Sequence, residues 1–397
     1  MQTTAPTLKI DPFTDDFLTN PYPGHAQIRD AGAVVWLAQY GCFATARHEQ
    51  VRAVFNDHAT YISSAGVGLA NFHKEAPFRP KSLILEADPP DHTRARSVLA
   101  RILSPKAVSQ IRTTFALEAE ALVDQLLAKG AVVDGIQDLA APYPLKVFPD
   151  AMGLEATGRE NLLLYGDMVF NSFGPRNALF AQSAQRVQPI TEWIMEHCQR
   201  AALRTGGFGD LIYQAADAGE ISHTEAPMLV RSFLSAGVDT TVSGIGNALL
   251  CLAQHPGEYA KLHASPALAR HVFEESLRYE SAVQIFFRTA SADTELAGVA
   301  IPAGSKILTL LGGANRDPRQ WPEPEQFKAE RRPAAHVAFG SGIHACVGQV
   351  LARLEGELVL STLAKRVKRM RIAGEPVRRL NNSLRALSSL PLELTPV

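Results

Sequence analysis

Residues 224–255 read TEAPMLVRSFLSAGVDTTVSGIGNALLCLAQH and are apolar on nearly every helical face. A segment like this cannot lie on a surface. It has to run through the interior, and the rest of the chain has to be arranged around it. As one helix it would be about 48 Å long. Thr224 is placed to cap its start, Pro227 suits an early turn, and Pro256 lies just beyond its end. Further helices are expected over 91–130, broken at Ser104-Pro105, and over 158–172, 186–204 and 267–280. Residues 33–57 read as two short apolar strands around Gly41 followed by a helix, and 298–311 supply more strand. The proline-rich stretch 73–90 and GGFGD at 206–210 read as loops.

The expected fold is therefore mainly α with a minor β region. A chain of 397 residues that is 46% hydrophobic has ample material for a large core. We expect a single domain over 1–397, with a small β-containing lobe near 30–60 and 283–311. With 39 Lys+Arg against 40 Asp+Glu, no electrostatic case exists for a nucleic-acid partner. Cys42, Cys198, Cys251 and Cys346 are far apart and form no CxxC pair, which excludes the common zinc-finger and thioredoxin spacings. No basic start with a following apolar run is present, and no stretch of 18 apolar residues. The expectation is a soluble, cytoplasmic protein with no membrane partner.

The most chemically loaded stretch is FGSGIHACVG, Phe339–Gly348. Cys346 stands at the start of a strongly helical pattern, where free amides and the helix dipole favour a thiolate. Such a thiolate suits a soft, redox-active metal. Gly340, Gly342 and Gly348 fit positions of positive φ or close approach, and Gly348 would let a flat ring come near the helix start. The loop alone leaves two other readings open: a buried structural cysteine, or a cysteine nucleophile with His344 as base.

FGSGIHACVG resembles the haem-binding loop FGxGxHxCxG of the cytochrome P-450 superfamily, with every fixed position filled. AGVDTT (236–241), Glu275 and Arg278 as an ExxR pair, and DPPDHTRAR (88–96) agree with the same family in the same order. The resemblance covers essentially the whole chain and implies the P-450 fold, with haem b between the long central helix and the helix after the cysteine. It makes Cys346 the iron ligand, with Phe339 and Gly340 in its loop, and gives the propionates to His92, Arg96, Arg288 and His344. It places dioxygen against Ala236 and Gly237 and makes Asp239 and Thr240 the acid–alcohol pair that delivers protons to it. A Thr bonded back to the carbonyl one turn earlier is the structural alternative for Thr240. Peroxide-using relatives typically lack this pair, which favours a monooxygenase. Glu275, Arg278 and Arg331 are implied to support the haem loop.

A closer resemblance is to bacterial members that oxidise para-substituted benzoic acids such as 4-methoxybenzoate. The segments that carry it are 77–90, 169–175, 229–241 and 283–289. On this likeness Arg79, Ser82 and Ser232 would hold a carboxylate. Phe170, Phe173 and Phe286 would sandwich the ring, and Leu85, Ser235 and Ala236 would line the remainder. The implied reaction is oxidative O-demethylation to 4-hydroxybenzoate. Another small hydrophobic substrate, or haem binding without turnover, are the alternatives. No flavin-type glycine motif and no four-cysteine cluster pattern occurs in the chain, so the resemblance implies a separate 2Fe-2S ferredoxin with its reductase. That partner would meet basic residues among Arg94, Arg101, Lys106, Arg331, Arg332 and Arg353.

Overall fold

The computed structural model describes residues 4–397. The helices that shape the site are α1 (Asp91–Ile102), α2 (Pro105–Ala128), α3 (Asn161–Asn171), α4 (Ala226–Ala236), α5 (Asp239–Gln254), α6 (Ala269–Tyr279) and α7 (Gln349–Arg366). The break expected at Ser104-Pro105 is present. Ser104 caps α2 by accepting from the Ala107 amide, and Pro105 opens the helix, where its missing N–H is harmless. Every residue of α5 except Thr240 and Gln254 is buried. The stretch Ala226–Gln254 is long and apolar enough to cross a membrane, yet 83% of its most apolar window lies buried inside the molecule.

The central segment is two helices rather than one. It breaks at Gly237-Val238. The Cβ position of Gly237 is filled by the Phe148 ring, which would come within 2.2 Å of an added methyl. Just beyond the break, the hydroxyls of Thr240, Thr241 and Ser243 donate to the carbonyls of Ala236, Gly237 and Asp239. Such bonds compete with the helical ladder and bend helices. Thr224 does not cap the segment. Its hydroxyl pairs with Ser222, and Glu225 occupies the cap position without its side chain capping the helix.

Two other expectations shift. The 186–204 segment divides: a helix at Ala178–Val187 ends where Pro189 cannot donate to a continuous ladder, and a 3₁₀ turn at Gln188–Ile190, a helix at Thr191–His197 and a second 3₁₀ turn at Arg200–Ala202 follow. GGFGD is only half loop, since a helix begins at Phe208.

The larger sheet runs Thr7–Leu8, Val35–Leu37, Cys42–Thr45, Lys306–Leu310, Ile285–Ala290 and Tyr61–Ile62 from edge to edge. It sets Arg288 opposite Ile307 on a buried strand. Strands near the C-terminus, not foreseen from the sequence, form two further sheets. One of them pairs Val377–Arg379 with Ala386–Ser389 and brings Arg379 to the start of α5.

Candidate active site

A cavity of about 240 Å³ lies between the α4–α5 junction and the loop that precedes α7. Cys346, Phe339, Gly340 and Gly348 line one wall, and Ala236, Gly237, Thr240 and Ser235 line another.

The cysteine loop is held by backbone geometry that only glycine tolerates well. Gly340 and Gly342 have φ of +71° and +70°, and a Cβ at Gly342 would stand 2.5 Å from the Phe55 carbonyl oxygen. Gly348 departs from the expectation. Its φ is −82°, and the nearest atom to an added Cβ is the Cys346 sulfur at 3.9 Å. It is neither strained nor crowded, and it leaves open the space beside the sulfur. The Cys346 amide donates to the Phe339 carbonyl at 2.8 Å. Burial pushes the thiol pKa up, opposed by the amides of Gly348 and Gln349 and by the guanidiniums of Arg96 and Arg353. A metal cation in place of the proton would remove the burial penalty and leave those stabilising groups in place.

His344 is not arranged as a base for Cys346. Its Nδ1 bonds to the Ile84 carbonyl at 3.1 Å, its ring packs on His92 at 4.3 Å, and burial beside Arg288 and His92 lowers its pKa to about 3.

Among the described residues the Nε2 atoms of His92 and His344 are buried without partners. Arg288 is buried over the Phe55 ring and donates to the Phe287 carbonyl; burial lowers its pKa to about 10. Burial likewise lowers that of Arg96. Among the described residues neither arginine pairs with a carboxylate. His92 sits behind His344, while Arg96, Arg288 and His344 line the cavity. Unpaired cations in a buried setting call for anionic oxygens, and an anion beside His344 would raise its pKa and let Nε2 donate as well. A thiol at one wall and this cationic group at the rim together fit a flat metal macrocycle bearing carboxylates.

Glu275 and Arg278, one face of α6, are fully buried and bonded at 2.8 and 2.9 Å. Arg331 donates to the same Glu275 carboxylate at 3.0 Å. Arg278 also donates to the carbonyls of Asn315, Pro324 and Gln326, so the three residues tie α6 to the chain leading into the cysteine loop.

Asp239 is buried and its pKa is raised by burial, against the pull of Arg379. Oδ1 accepts from Arg379 at 2.5 Å, and among the described residues Oδ2 has no partner. Gly166 of α3 lies against it; a Cβ there would stand 2.9 Å from that of Asp239. Arg379 also faces Asp167 at 3.6 Å, and Asp167 pairs with the half-exposed Arg186 at 2.7 Å. A chain of charged groups thus runs from Asp239 to the surface. The Thr240 hydroxyl donates to the Ala236 carbonyl at 2.7 Å, as in the structural alternative, while the residue faces the cavity. Gly237 lends its backbone to the lining, but its smallness is taken up by Phe148, not by open space above the pocket.

At the far end, Ser82 and Ser232 place their hydroxyls 3.1 Å apart. Arg79 does not stand free beside them. It forms a bidentate pair with buried Glu86 at 2.8 and 3.0 Å. The uncompensated cation is Arg231, which reading the sequence did not single out. It is buried, lines the cavity, and donates to the carbonyls of Pro80 and Lys81; among the described residues it has no carboxylate partner. A charged residue inside an otherwise apolar helix was the available signal. Phe170, Phe173 and Phe286 meet in sequence, with centroids 5.4 and 5.6 Å apart. Leu85, Ser235 and Ala236 line the same space.

The basic candidates for a partner surface are mostly engaged. Arg94 pairs with Glu225, Arg101 with Glu220, Arg331 with Glu275 and Arg353 with Glu274. Among the described residues Lys106 and Arg332 have no ion pair.

The profile of the family described as Cytochrome P450 matches residues 155–265 and 267–385. The chain is 54% identical to cytochrome p450 CYP199A2 of Rhodopseudomonas palustris, over 99% of this chain and 95% of that one. It is 30% identical to the beta-dihydromenaquinone-9 omega-hydroxylase of Mycobacterium tuberculosis, over 98% of this chain and 78% of that one. Among solved structures it superposes on P450BioI in complex with an acyl-carrier-protein-linked hexadecenoic acid, with TM-score 0.85, 27% identity and coverage of 96% and 100%. It also superposes on cytochrome P450 CREJ in complex with (4-ethylphenyl) dihydrogen phosphate, with TM-score 0.87, 25% identity and coverage of 97% and 99%. With a cavity walled by the half-buried Cys346 and rimmed by unpaired cations, and with these likenesses along its length, the chain belongs to the cytochrome P450 family.

Proposed function

We propose that this cytochrome P450 monooxygenase oxidises a para-substituted benzoic acid, and that its reaction is the O-demethylation of 4-methoxybenzoate to 4-hydroxybenzoate. The observation that carries this reading is the polar end of an otherwise apolar cavity, where the Ser82–Ser232 hydroxyl pair stands beside an uncompensated guanidinium, Arg231. With Arg79 neutralised by Glu86, one net positive charge remains, which matches one carboxylate. Ser232 and Ala236 are one helical turn apart, about 6 Å along α4. That is close to the span of a benzoate from its carboxylate to its para atom. Phe170, Phe173 and Phe286 touch one another and so cannot sandwich a ring; they supply one aromatic wall for it to lie against. The CREJ complex holds another para-substituted aromatic anion in the same fold.

Family members carry haem b on a cysteine thiolate. In this chain Cys346 is the group for the iron, and Arg96, Arg288 and His344, backed by His92, are the groups for the propionates. Bound there, haem supplies dioxygen activation and oxidation of the substrate carbon. The chain's own part is positioning and proton supply. The serine pair and Arg231 fix the carboxylate, so the para substituent is delivered to the Thr240 side. Asp239 holds its Oδ2 free for a proton while Arg379 pins Oδ1. The Thr240 hydroxyl passes a proton into the cavity once it turns from the Ala236 carbonyl. One oxygen atom enters the methoxy carbon, giving a hemiacetal that releases formaldehyde. The other leaves as water with two protons and two electrons.

Soluble bacterial members take electrons from redox partners. We assign that role to a 2Fe-2S ferredoxin with its reductase, meeting the free cations Lys106 and Arg332, in the cytoplasm. The test is a spin-state titration of the ferric protein followed by turnover. 4-Methoxybenzoate should bind and yield 4-hydroxybenzoate with dioxygen and reductant, and Arg231→Met should weaken binding about tenfold or more, the loss of one charge-assisted bond. Tighter binding of camphor-like, steroid or fatty-acid compounds would reject the reading.

A further inference from the structure

Glu275 is the acid the family pattern singles out on α6, but its neighbour Glu274 is placed just as specifically. The Glu274 carboxylate accepts from His336 Nε2 at 2.6 Å and from two nitrogens of Arg353, Nε and, at 3.4 Å, a terminal nitrogen. His336 is buried, and its Nδ1 accepts from the Ala338 amide at 3.2 Å. That bond fixes the ring as the tautomer with hydrogen on Nε2, which donates to Glu274. Burial acts to raise the pKa of Glu274, but His336 and Arg353 outweigh it and hold the carboxyl at about 2. The acid therefore stays ionised, and Arg353 has a fixed anchor.

Arg353 in turn holds both arms of the cysteine loop. Its second terminal nitrogen donates to the Gln349 side chain at 2.7 Å, and the Gln349 amide is one of the two that point at the Cys346 sulfur. The guanidinium lies 4.5 Å from the centre of the Phe339 ring, and the Phe339 carbonyl takes the Cys346 amide. One side chain thus braces the loop on both sides of the sulfur, at Phe339 upstream and Gln349 downstream, and brings a positive charge to the sulfur side. The network is separate from Glu275–Arg278–Arg331, which reaches the chain further upstream.

We propose that Arg353 is a positioning residue for the Cys346 thiolate, and that Glu274, oriented by His336, holds Arg353 in place. This rests on Cys346 being the iron ligand. Arg353 is then committed to the loop and is not a free contact for an acidic electron donor. Its charge opposes electron donation by the sulfur and favours the reduced iron.

The test uses haem-loaded protein and two readouts besides turnover, the ferric/ferrous reduction potential and the reduced carbon monoxide spectrum. Arg353→Met should make reduction about tenfold less favourable, 59 mV for one electron, and let part of the carbon monoxide complex pass from the thiolate to the protonated-thiol form. Arg353→Lys, which keeps the charge without the fork, should restore the potential but not the stability of the thiolate form. Glu274→Gln should also yield a thiol fraction, and the double variant Glu274→Gln/Arg353→Met should be no worse than Arg353→Met alone. If Arg353→Met does not retain haem, Glu274→Gln decides. Wild-type potential and a stable thiolate spectrum in Arg353→Met, or in Glu274→Gln in that event, would overturn the proposal. A wild-type protein that itself lacks the thiolate spectrum would instead remove the ligand assignment beneath it.

Discussion

Replacing Arg79 by methionine should weaken benzoate binding for a reason unlike the loss of a direct contact. In the native protein Arg79 and Glu86 cancel each other. The Glu86 carboxylate also accepts from the Ser82 amide at 2.9 Å, which ties it to the residue whose hydroxyl we place on the substrate. Without Arg79 a buried, unneutralised carboxylate would face the incoming one. At a separation of about 6 Å and an effective dielectric of about 20, the repulsion is about 3 kcal/mol. That corresponds to roughly a hundredfold weaker binding. The double exchange Arg79→Met/Glu86→Gln removes the repulsion together with the pair and should return affinity to within about tenfold of the native value. Spin-state titration of the ferric protein with 4-methoxybenzoate measures all three. A double variant as weak as the single one would refute the reasoning and return Arg79 to direct contact with the substrate.

Glu275→Gln leaves Arg278 and Arg331 buried without their anion and should destabilise the fold by about 3–5 kcal/mol, read as a lower urea midpoint with loss of haem retention. Asp239→Asn should slow product formation by about a hundredfold and change its solvent isotope effect, with benzoate binding left near the native value; an unchanged rate would exclude Asp239 from proton supply. Lys306 is buried and donates to the carbonyls of Ala65 and Gly66, and burial beside Arg288 lowers its pKa to about 7. Between pH 7 and the usual lysine range the unfolded chain therefore binds more protons than the folded one, so stability rises with pH across that window. Lys306→Met should flatten the rise, as measured by denaturant midpoints from pH 7 to 10.

The cysteine loop was legible because chemistry restricts each of its positions, and its two positive-φ glycines confirm that local restriction. Gly348 shows the limit of the same argument, because an invitingly placed glycine turned out to be ordinary in backbone and open in surroundings. The long central segment was legible as core but not as two helices. Its break depends on Phe148, a ring from a distant part of the chain. Arg79 and Arg231 illustrate the same point for charge. Both are visible as arginines, but which of them is neutralised depends on Glu86 folding back across seven residues of loop. Arg379 comes from a C-terminal strand with no pattern strong enough to place it against Asp239. Glu274 was overshadowed by its neighbour, since only the fold brings His336 and Arg353 to it.

The account stands on the bond between the Cys346 sulfur and haem iron. Reducing the purified, haem-loaded protein under carbon monoxide tests it directly. The spectrum should be that of a thiolate-ligated haem and should vanish in Cys346→Ser. The spectrum of a histidine-ligated haem, or a protein that takes up no haem at all, would contradict it.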